Sequence, residues 1–216
     1  MNKYPFEKPN QVLVPIKSSD EYFPVNQIYC VGRNYVAHAK EMGADENKPP
    51  FFFTKPNWAI TTGDVKYPKK TKDLQYEVEL VLAIGKDLSI FGFAIGVDLT
   101  RRDLQGDAKK NGKPWFSGKC FTNSAPISEI VPIAEGVNFS DFEIRLALNN
   151  QLKQLGYCSD MILSPLELIS ELSEEIPLLQ GDLVFTGTPQ GVGSLNVGDK
   201  VDAFINDIVS LSFKIK

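Results

Sequence analysis

The segment "YEVEL", Tyr76 to Leu80, carries two carboxylates on a stretch that otherwise reads as an apolar strand. Side chains alternate along a strand, so Tyr76, Val78 and Leu80 share one face and Glu77 and Glu79 share the other. Each carboxylate of such a pair raises the free energy of ionising its neighbour. The fold must therefore place either water or a cation opposite the acidic face.

Composition sets broad limits on the class of protein. The chain has 216 residues, of which 43% are hydrophobic and 23% charged, which fits one domain or a domain with a small appendage. Lys plus Arg number 23 against 27 Asp plus Glu, and the scattered charges give no indication of a nucleic-acid partner. Neither a signal-peptide core nor a membrane-length apolar run is visible, so we expect a cytoplasmic protein that does not contact membranes.

The chain contains only three cysteines, Cys30, Cys120 and Cys158. They form no CxxC pair and leave an odd cysteine over, which favours reduced, packed thiols. A cysteine nucleophile would need a histidine beside the thiol, and the chain has one histidine in total.

Short apolar runs bounded by glycine and proline recur along the chain and predict a mixed, mainly β fold. Helix-compatible segments are few, and we expect them at the periphery of coiled or barrel-like sheets. The predicted strands lie in "NQIYCVGRNY", "PPFFFTKP", "YEVELVLAIG" and "FGFAIGVDL", and the predicted helices in "YVAHAKEMG", "TRRDLQGDAKKNGKP" and "SPLELISELSEEI".

Asp98 follows the run "AIGV" and is a candidate third carboxylate beside Glu77 and Glu79. A neighbouring strand could bring it level with the pair, and three anionic oxygens with no histidine or thiolate favour Mg²⁺, Mn²⁺ or Ca²⁺ over Zn²⁺. Such a set leaves coordination positions for water and substrate. The alternative is a solvated strand face, with Asp98 as a turn residue.

The single histidine, His38, stands three residues before Glu41 on a predicted helix. Residues at this spacing share a helix face, so Glu41 can bind one ring nitrogen and leave the other free as a base. A surface histidine beside a solvated glutamate fits the spacing equally well. Lys119 lies among apolar residues, where burial would lower its pKa unless an anion is near.

Residues Phe185 to Gly193, "FTGTPQGVG", contain three glycines and a proline around two threonines. Glycines let a backbone approach a ligand closely and leave N–H groups free to meet oxyanions. The segment lacks the spacing of a dinucleotide-binding loop or a P-loop, and a plain hairpin turn would also explain it.

Taken together, these motifs resemble the fumarylacetoacetate hydrolase family, in particular its short, single-domain acylpyruvate hydrolase branch. Within that branch, the sequences of these motifs are most similar to those of fumarylpyruvate hydrolases. The resemblance runs from about residue 24 to the C-terminus, so we predict an N-terminal extension over residues 1–23 and a catalytic domain over residues 24–216. The segments that carry it are "IYCVGRNYVAHAKEMG", "PPFFFTKP", "YEVELVLAIGKDLS", "GVDLTRRDLQ", "GKPWFSGKCF", "NNQLKQLGYCSDMI" and "GDLVFTGTPQGVG".

The resemblance implies a β-sandwich roll built around Mg²⁺ or Mn²⁺, usually assembled as a homodimer. It also implies a role for each residue that matches a family motif. The metal ligands would be Glu77, Glu79 and Asp98, the catalytic residues His38, Glu41 and Lys119, and the substrate-binding residues Arg102, Gln105 and Thr188.

The implied reaction is hydrolytic carbon–carbon cleavage of a 3-acylpyruvate, a small 2-oxo acid, of the kind met in aromatic catabolism. The products would be pyruvate and a carboxylic acid such as fumarate. Three alternatives stay open: an oxaloacetate decarboxylase, a related 2-oxo acid isomerase that uses the same site, and a catalytically silent metal-binding homologue.

Two departures from the family pattern bear on the site. Between Gly85 and Gly92 the chain has only "KDLSIF", about one short helix fewer than is typical. Either a peripheral helix is deleted or a loop is missing from the chain, and a deletion would put the position of Asp98 in question. The second departure is "FSGKCF", in which Gly118 and Cys120 flank Lys119 and are small enough to keep the pocket shape.

Overall fold

The computed structural model of the chain describes residues 5–7, 10–41, 43 and 48–216. In these ranges the strands are β1 (Val12–Pro15), β2 (Tyr22–Val25), β3 (Ile28–Gly32), β4 (Phe51–Lys55), β5 (Ile60–Thr61), β6 (Leu74–Tyr76), β7 (Val78–Ile84), β8 (Ile90–Val97), β9 (Thr100–Arg101), β10 (Ala125–Pro126), β11 (Val131–Pro132), β12 (Glu143–Leu148), β13 (Gln151–Tyr157), β14 (Leu183–Phe185), β15 (Gly193–Leu195), β16 (Lys200–Ile205) and β17 (Val209–Lys214). The α-helices are α1 (Val36–Glu41), α2 (Arg102–Lys110), α3 (Phe116–Lys119) and α4 (Pro165–Glu175), and short 3₁₀ turns cover Asn57–Ala59, Lys86–Leu88, Phe139–Asp141 and Cys158–Asp160.

The strands form one large sheet and several smaller ones. The large sheet has the order β11-β8-β7-β14-β3-β4, in which β14 runs parallel to β3 and the other neighbours are antiparallel. A four-stranded sheet has the order β13-β12-β16-β17, and a three-stranded sheet the order β15-β6-β9. The prediction of a mainly β fold with a few helices is confirmed.

The large sheet is buried on both faces, as its central strand β7 shows. Leu80 and Leu82 pack into one hydrophobic cluster together with residues of β12, β16 and β17. Val81 and Ala83 point the other way into a second cluster. Because both faces are covered, the end of this sheet is shielded from bulk water, and carboxylates placed there are desolvated.

The N-terminal hairpin β1–β2 adds to the second cluster. Val14, Phe23 and Val25 are buried there against residues of the large sheet. The predicted boundary between residues 23 and 24 stays a prediction. Among the described residues, no helix has the length and apolar character needed to cross a bilayer.

The segment "YEVEL" is not one continuous strand, and this part of the prediction is wrong. β6 ends at Tyr76 in the three-stranded sheet and β7 begins at Val78 in the large sheet, so Glu77 lies at the junction. The division between faces nevertheless holds, because Tyr76, Val78 and Leu80 all belong to the first cluster. Glu77 and Glu79 both face a cavity at the end of the large sheet.

The short link between β7 and β8 does not displace Asp98. The strands join through the 3₁₀ turn Lys86–Leu88, and their register pairs Glu79 with Gly96. Just beyond β8, the N–H of Asp98 donates to the carbonyl of Glu77 at 2.8 Å. Side chains two apart share a face, so Asp98 lies on the face of Gly96 and Glu79. The shortened connection is therefore compatible with three converging carboxylates.

Gly96 gives a direct test of this hairpin packing. A methyl group added there would lie 2.6 Å from Phe185 Cε1 and 2.7 Å from Val81 Cγ2. We expect Gly96→Ala to lower the free energy of unfolding by about 1–3 kcal/mol, measured by urea denaturation, because both neighbours are buried and must shift. Gly63→Ala is the control, since its new methyl would meet nothing closer than 4.0 Å. Equal stability of the two variants would contradict the packing.

Candidate active site

A cavity of about 400 Å³ opens at the end of the large sheet where β7 and β8 carry their acidic residues. It brings together eight of the nine residues singled out from the sequence. The ninth, Glu41, contacts the cavity through its hydrogen bond to His38. The eight lining residues are His38, Glu77, Glu79, Asp98, Arg102, Gln105, Lys119 and Thr188.

The three predicted metal ligands converge. Glu77, Glu79 and Asp98 each offer a carboxylate oxygen, and these oxygens lie within 4.8 Å of one another. All three side chains are buried, with relative exposures of 5%, 2% and 1%. Anionic oxygen donors are the ligands that Mg²⁺ and Mn²⁺ prefer. The donor set therefore fits a divalent metal ion, and the predicted triad is able to bind one.

Lys119 lies between two of these carboxylates. Its Nζ is 2.6 Å from Glu77 Oε2, 2.6 Å from Asp98 Oδ2 and 2.7 Å from Thr100 Oγ1. Burial by itself lowers the pKa of Lys119, but the carboxylates of Asp98 and Glu77 outweigh it and hold that pKa above its usual value. The ammonium group is charged, and the anion that the sequence required near it is supplied by the triad.

A second lysine, Lys55 at the end of β4, was missed by the sequence reasoning. Its side chain is fully buried, and its Nζ lies 2.8 Å from Asp98 Oδ1. It also donates to the carbonyl oxygens of Leu99 at 3.1 Å and of Ser124 at 3.1 Å. The only signal in the sequence was a lone lysine closing the aromatic strand "FFFTK".

Arg102 begins α2 and completes the set of cations around the triad. It donates to Glu77 Oε1 through one guanidinium nitrogen and to Gln105 Oε1 at 2.7 Å through another. Its Nε donates to Gln75 Oε1 at 2.6 Å. Arg102 and Gln105 are three residues apart and share a helix face, so α2 presents both of them to the cavity.

The pKa values of the Glu77 and Glu79 carboxyl groups shift in opposite directions for identifiable reasons. Burial acts to raise the pKa of Glu77, but Lys119 and Arg102 overcome it and hold that pKa well below its usual value. Burial, followed by the charges of Asp98 and Glu77, raises the pKa of Glu79 well above its usual value. Within the described ranges, Glu79 accepts a hydrogen bond from the Gly187 N–H at 2.8 Å and forms no ion pair. It is thus the carboxylate that gains most from a bound cation.

The candidate dyad lies on α1 above the triad. His38 Nδ1 donates to Glu41 Oε2 at 3.3 Å, which leaves Nε2 free. The side chain of His38 is 12% exposed, and burial lowers its pKa, while Glu77 and Glu41 act in the opposite direction. The imidazole is therefore neutral at neutral pH and able to accept a proton.

The glycine-rich segment meets protein carboxylates through its backbone. The Gly191 N–H donates to Glu41 at 3.0 and 3.2 Å, and the Gly187 N–H donates to Glu79. Gly191 has a φ of +100°, and a methyl group there would lie 2.2 Å from the carbonyl oxygen of Lys153. These two N–H groups are thus not free for a ligand, because they hold two of the candidate site residues. Thr188, between the two glycines, lines the cavity and accepts from Gln154 Nε2 at 2.8 Å.

Comparison with known proteins identifies a matching family and similar solved structures. The family described as fumarylacetoacetate (FAA) hydrolase C-terminal matches residues 27–216. A crystal structure of fumarylpyruvate hydrolase from Pseudomonas aeruginosa, in complex with Mn²⁺ and pyruvate, superimposes with a TM-score of 0.94. It has 40% sequence identity and covers 99% of each chain. A putative fumarylpyruvate hydrolase from Burkholderia cenocepacia superimposes with a TM-score of 0.89, also at 40% identity, covering 100% of this chain and 95% of that one.

Other relatives are named as oxaloacetate tautomerases rather than as fumarylpyruvate hydrolases. The mitochondrial oxaloacetate tautomerase FAHD1 of Mus musculus is 38% identical over 201 residues, covering 88% of this chain and 91% of the relative. The mitochondrial oxaloacetate tautomerase FAHD2 of Oryza sativa subsp. japonica is 36% identical over 205 residues, covering 88% and 91%. Since these relatives are mitochondrial, the expected cytoplasmic location stays a prediction.

The negative charges of Asp98 and Glu77 near Glu79 lead to a prediction about metal binding. Glu79→Gln removes one ligand and one source of repulsion, so the metal-free variant should be at least as stable as the metal-free parent. Mn²⁺ at about 100 times its dissociation constant should raise Tm of the parent by roughly 5–10 °C. The variant should gain less than half of that in thermal denaturation. Glu171→Gln on the exposed face of α4 is the matched control and should keep the full gain. A full gain in Glu79→Gln would refute the ligand assignment.

Proposed function

Because the chain belongs to the fumarylacetoacetate hydrolase family, we propose that it is a divalent-metal-dependent hydrolase of a 3-acylpyruvate. The proposed substrate is a fumarylpyruvate-like 2-oxo acid, and the products are pyruvate and a carboxylic acid such as fumarate. One observation carries the proposal: a neutral histidine, oriented by a carboxylate, faces the same cavity as three buried carboxylates. Hydrolysis needs both a base for water and a means of stabilising an enolate.

Glu77, Glu79 and Asp98 would hold Mg²⁺ or Mn²⁺, which when bound supplies a Lewis acid for the keto and carboxylate oxygens of a 2-oxo acid. Support comes from the Pseudomonas aeruginosa fumarylpyruvate hydrolase, whose structure is described as a complex with Mn²⁺ and pyruvate. Pyruvate is a product of the proposed reaction.

His38 acts as the general base in this proposal. Glu41 holds Nδ1, so Nε2 takes a proton from a water molecule as that water attacks the acyl carbonyl carbon. Glu41 also stabilises the imidazolium that forms, and the Gly191 N–H keeps the carboxylate in place. Glu41 therefore orients the imidazole of His38, and the Gly191 N–H in turn orients the carboxylate of Glu41.

Carbon–carbon cleavage then sends the electron pair to the pyruvate fragment, which leaves as its enolate. Lys119 and Arg102 lie at the inner end of the cavity, where this negative charge develops. Gln105 and Thr188 offer further polar groups to position the 2-oxo acid. A proton returned to the enolate carbon completes pyruvate, and the acyl group has gained the hydroxyl of the water.

Oxaloacetate tautomerisation is the second candidate, because the Mus musculus and Oryza sativa relatives carry that name. It would use the same residues to move a proton between a carbon and the keto oxygen, without an attacking water. Decarboxylation of oxaloacetate would likewise pass through an enolate in this site. The intact dyad and triad argue against a silent homologue.

The proposal includes a homodimer. β13 is the outer strand of the four-stranded sheet, and its bulge next to Leu152 aligns that residue with Leu155 and Tyr157 on one face. These three apolar side chains are exposed, at 58%, 42% and 45%. Covering this face with a second copy would remove it from water.

The activity is tested by ultraviolet assays of fumarylpyruvate, acetylpyruvate and oxaloacetate, each with Mg²⁺, with Mn²⁺ and with excess chelator. We expect metal-dependent loss of an acylpyruvate chromophore, and His38→Ala should lower that rate by roughly 10²–10⁴ because general-base catalysis is lost. The variant should still bind Mn²⁺.

Val36→Ala, an exposed position on the same short helix, is the control for disturbance of α1 and should retain activity. Unchanged turnover by His38→Ala would contradict the assignment of the base. Conversion of oxaloacetate alone by the parent would favour the tautomerase or decarboxylase.

The pH profile offers an independent check on His38. Only neutral His38 accepts a proton, so kcat/KM for hydrolysis should fall with decreasing pH, with a midpoint below the ordinary histidine pKa of 6.5. Glu41 raises this pKa, so Glu41→Gln should move the acid limb to still lower pH besides slowing the reaction. An acid limb above pH 6.5, or one that does not move in Glu41→Gln, would argue that another group titrates.

A further inference from the structure

Three cations that line the cavity, Arg33, Lys48 and Lys109, form no ion pair with any described residue, and two of them lie against aromatic rings. Lys119, Lys55 and Arg102 all form ion pairs with the triad. The guanidinium of Arg33 instead lies 4.7 Å from the centre of the Phe51 ring, and Lys109 Nζ lies 4.8 Å from the centre of a Trp115 ring. Neither side chain forms a hydrogen bond or an ion pair with any residue in the described ranges.

The two rings under these cations belong to one aromatic wall, which we define as Phe51, Phe53 and Trp115. Phe51 and Trp115 meet edge to face with their centres 5.0 Å apart, and Phe53 lies 6.0 Å from Trp115. All three line the cavity. The ring of Phe51 packs tightly against the backbone of Gly32, since a methyl group at Gly32 would come within 2.3 Å of Phe51 Cζ. The wall presents an apolar surface, and the cations of Arg33 and Lys109 lie against two of its rings.

The cavity therefore has two chemically distinct ends. At the inner end the charges of Lys119, Lys55 and Arg102 are offset by the triad. Arg33 and Lys109 have no such offset. Partial burial and the nearby charge of Arg102 lower the pKa of Lys109, Glu77 acts in the opposite direction, and Lys119 and Arg33 lower that pKa further. An anion held at the outer end would relieve this repulsion and supply acceptors for both side chains.

We propose that Arg33, Lys109 and the aromatic wall form a subsite for a second carboxylate, carried by the acyl group of the substrate on a planar, unsaturated spacer. This inference rests on the proposed function and adds the substrate class to it: dicarboxylic acylpyruvates are preferred over those with a plain alkyl end. The spacer packs against the aromatic wall, and the terminal carboxylate accepts hydrogen bonds from Arg33 and Lys109. An alkyl end would leave both cations without a partner.

The discriminating experiment compares kcat/KM for fumarylpyruvate, which has the second carboxylate, with kcat/KM for acetylpyruvate, which lacks it. In Lys109→Gln the ratio of the two values should fall roughly tenfold or more, as expected for the loss of one charge-assisted hydrogen bond. Lys110→Gln is the matched control. It makes the same change at the next residue of α2, which is exposed and does not line the cavity, and the ratio should stay within about twofold.

Arg33→Gln should lower the same ratio by a similar factor. Arg33 has a φ of +62°, so this variant is first checked for a native thermal transition. Lys109 lies on the exposed side of a helix, so Lys109→Gln keeps the test informative if Arg33→Gln fails to fold. An unchanged ratio in Lys109→Gln would overturn the subsite.

A binding measurement separates this inference from the proposed function. Fumarate is titrated in the presence of excess chelator, with Trp115 fluorescence as the signal in a Trp58→Phe background. Lys109→Gln should weaken fumarate binding roughly tenfold and Lys110→Gln should not. If the parent hydrolyses no acylpyruvate but shows this pattern, the proposed function fails and the subsite stands. If hydrolysis is found and fumarate binds equally to all three proteins, the subsite fails and the hydrolase stands.

Discussion

Three carboxylates buried within a few ångströms of one another are the constraint on which the rest of this structure depends. Removing each charge from water costs several kcal/mol unless partners compensate. The partners come from distant parts of the chain: Lys55 from β4, Lys119 from α3, Arg102 from α2 and the Gly187 N–H from the glycine-rich segment. The convergence of these elements on the end of the β7–β8 hairpin follows from the need to satisfy that charge.

The balance of charge at the triad also determines which ligands suit the cavity. Three cationic side chains face three carboxylates, so a divalent ion bound there makes the inner end net positive. The carboxylate of a 2-oxo acid would offset this excess, and so would the enolate formed in the proposed cleavage. The same charge balance suits all three candidate reactions: hydrolysis, decarboxylation and tautomerisation. Of these reactions, only hydrolysis needs an attacking water, which the proposed mechanism assigns to His38 for activation.

Local patterns predicted the parts of the site that depend on local geometry. The alternation in "YEVEL" correctly separated the acidic face from the apolar one, and the spacing of His38 and Glu41 correctly placed them on one helix face. The break at Glu77 was missed, because a period of two does not show which sheet each half joins. Lys55 was missed because its burial depends on Leu99 and Ser124, which are distant in sequence.

The glycine-rich segment links the base to the triad, and this link is the least local feature of the site. Its Gly187 N–H binds Glu79, and its Gly191 N–H binds Glu41, which orients His38. A backbone N–H can hold a carboxylate without adding charge, so the segment fixes both acids while leaving the electrostatic balance to the lysines and Arg102. Because one short loop carries both contacts, it ties α1 to the start of β7 through the backbone. The position of His38 over the cavity therefore depends on how α1 docks against this loop.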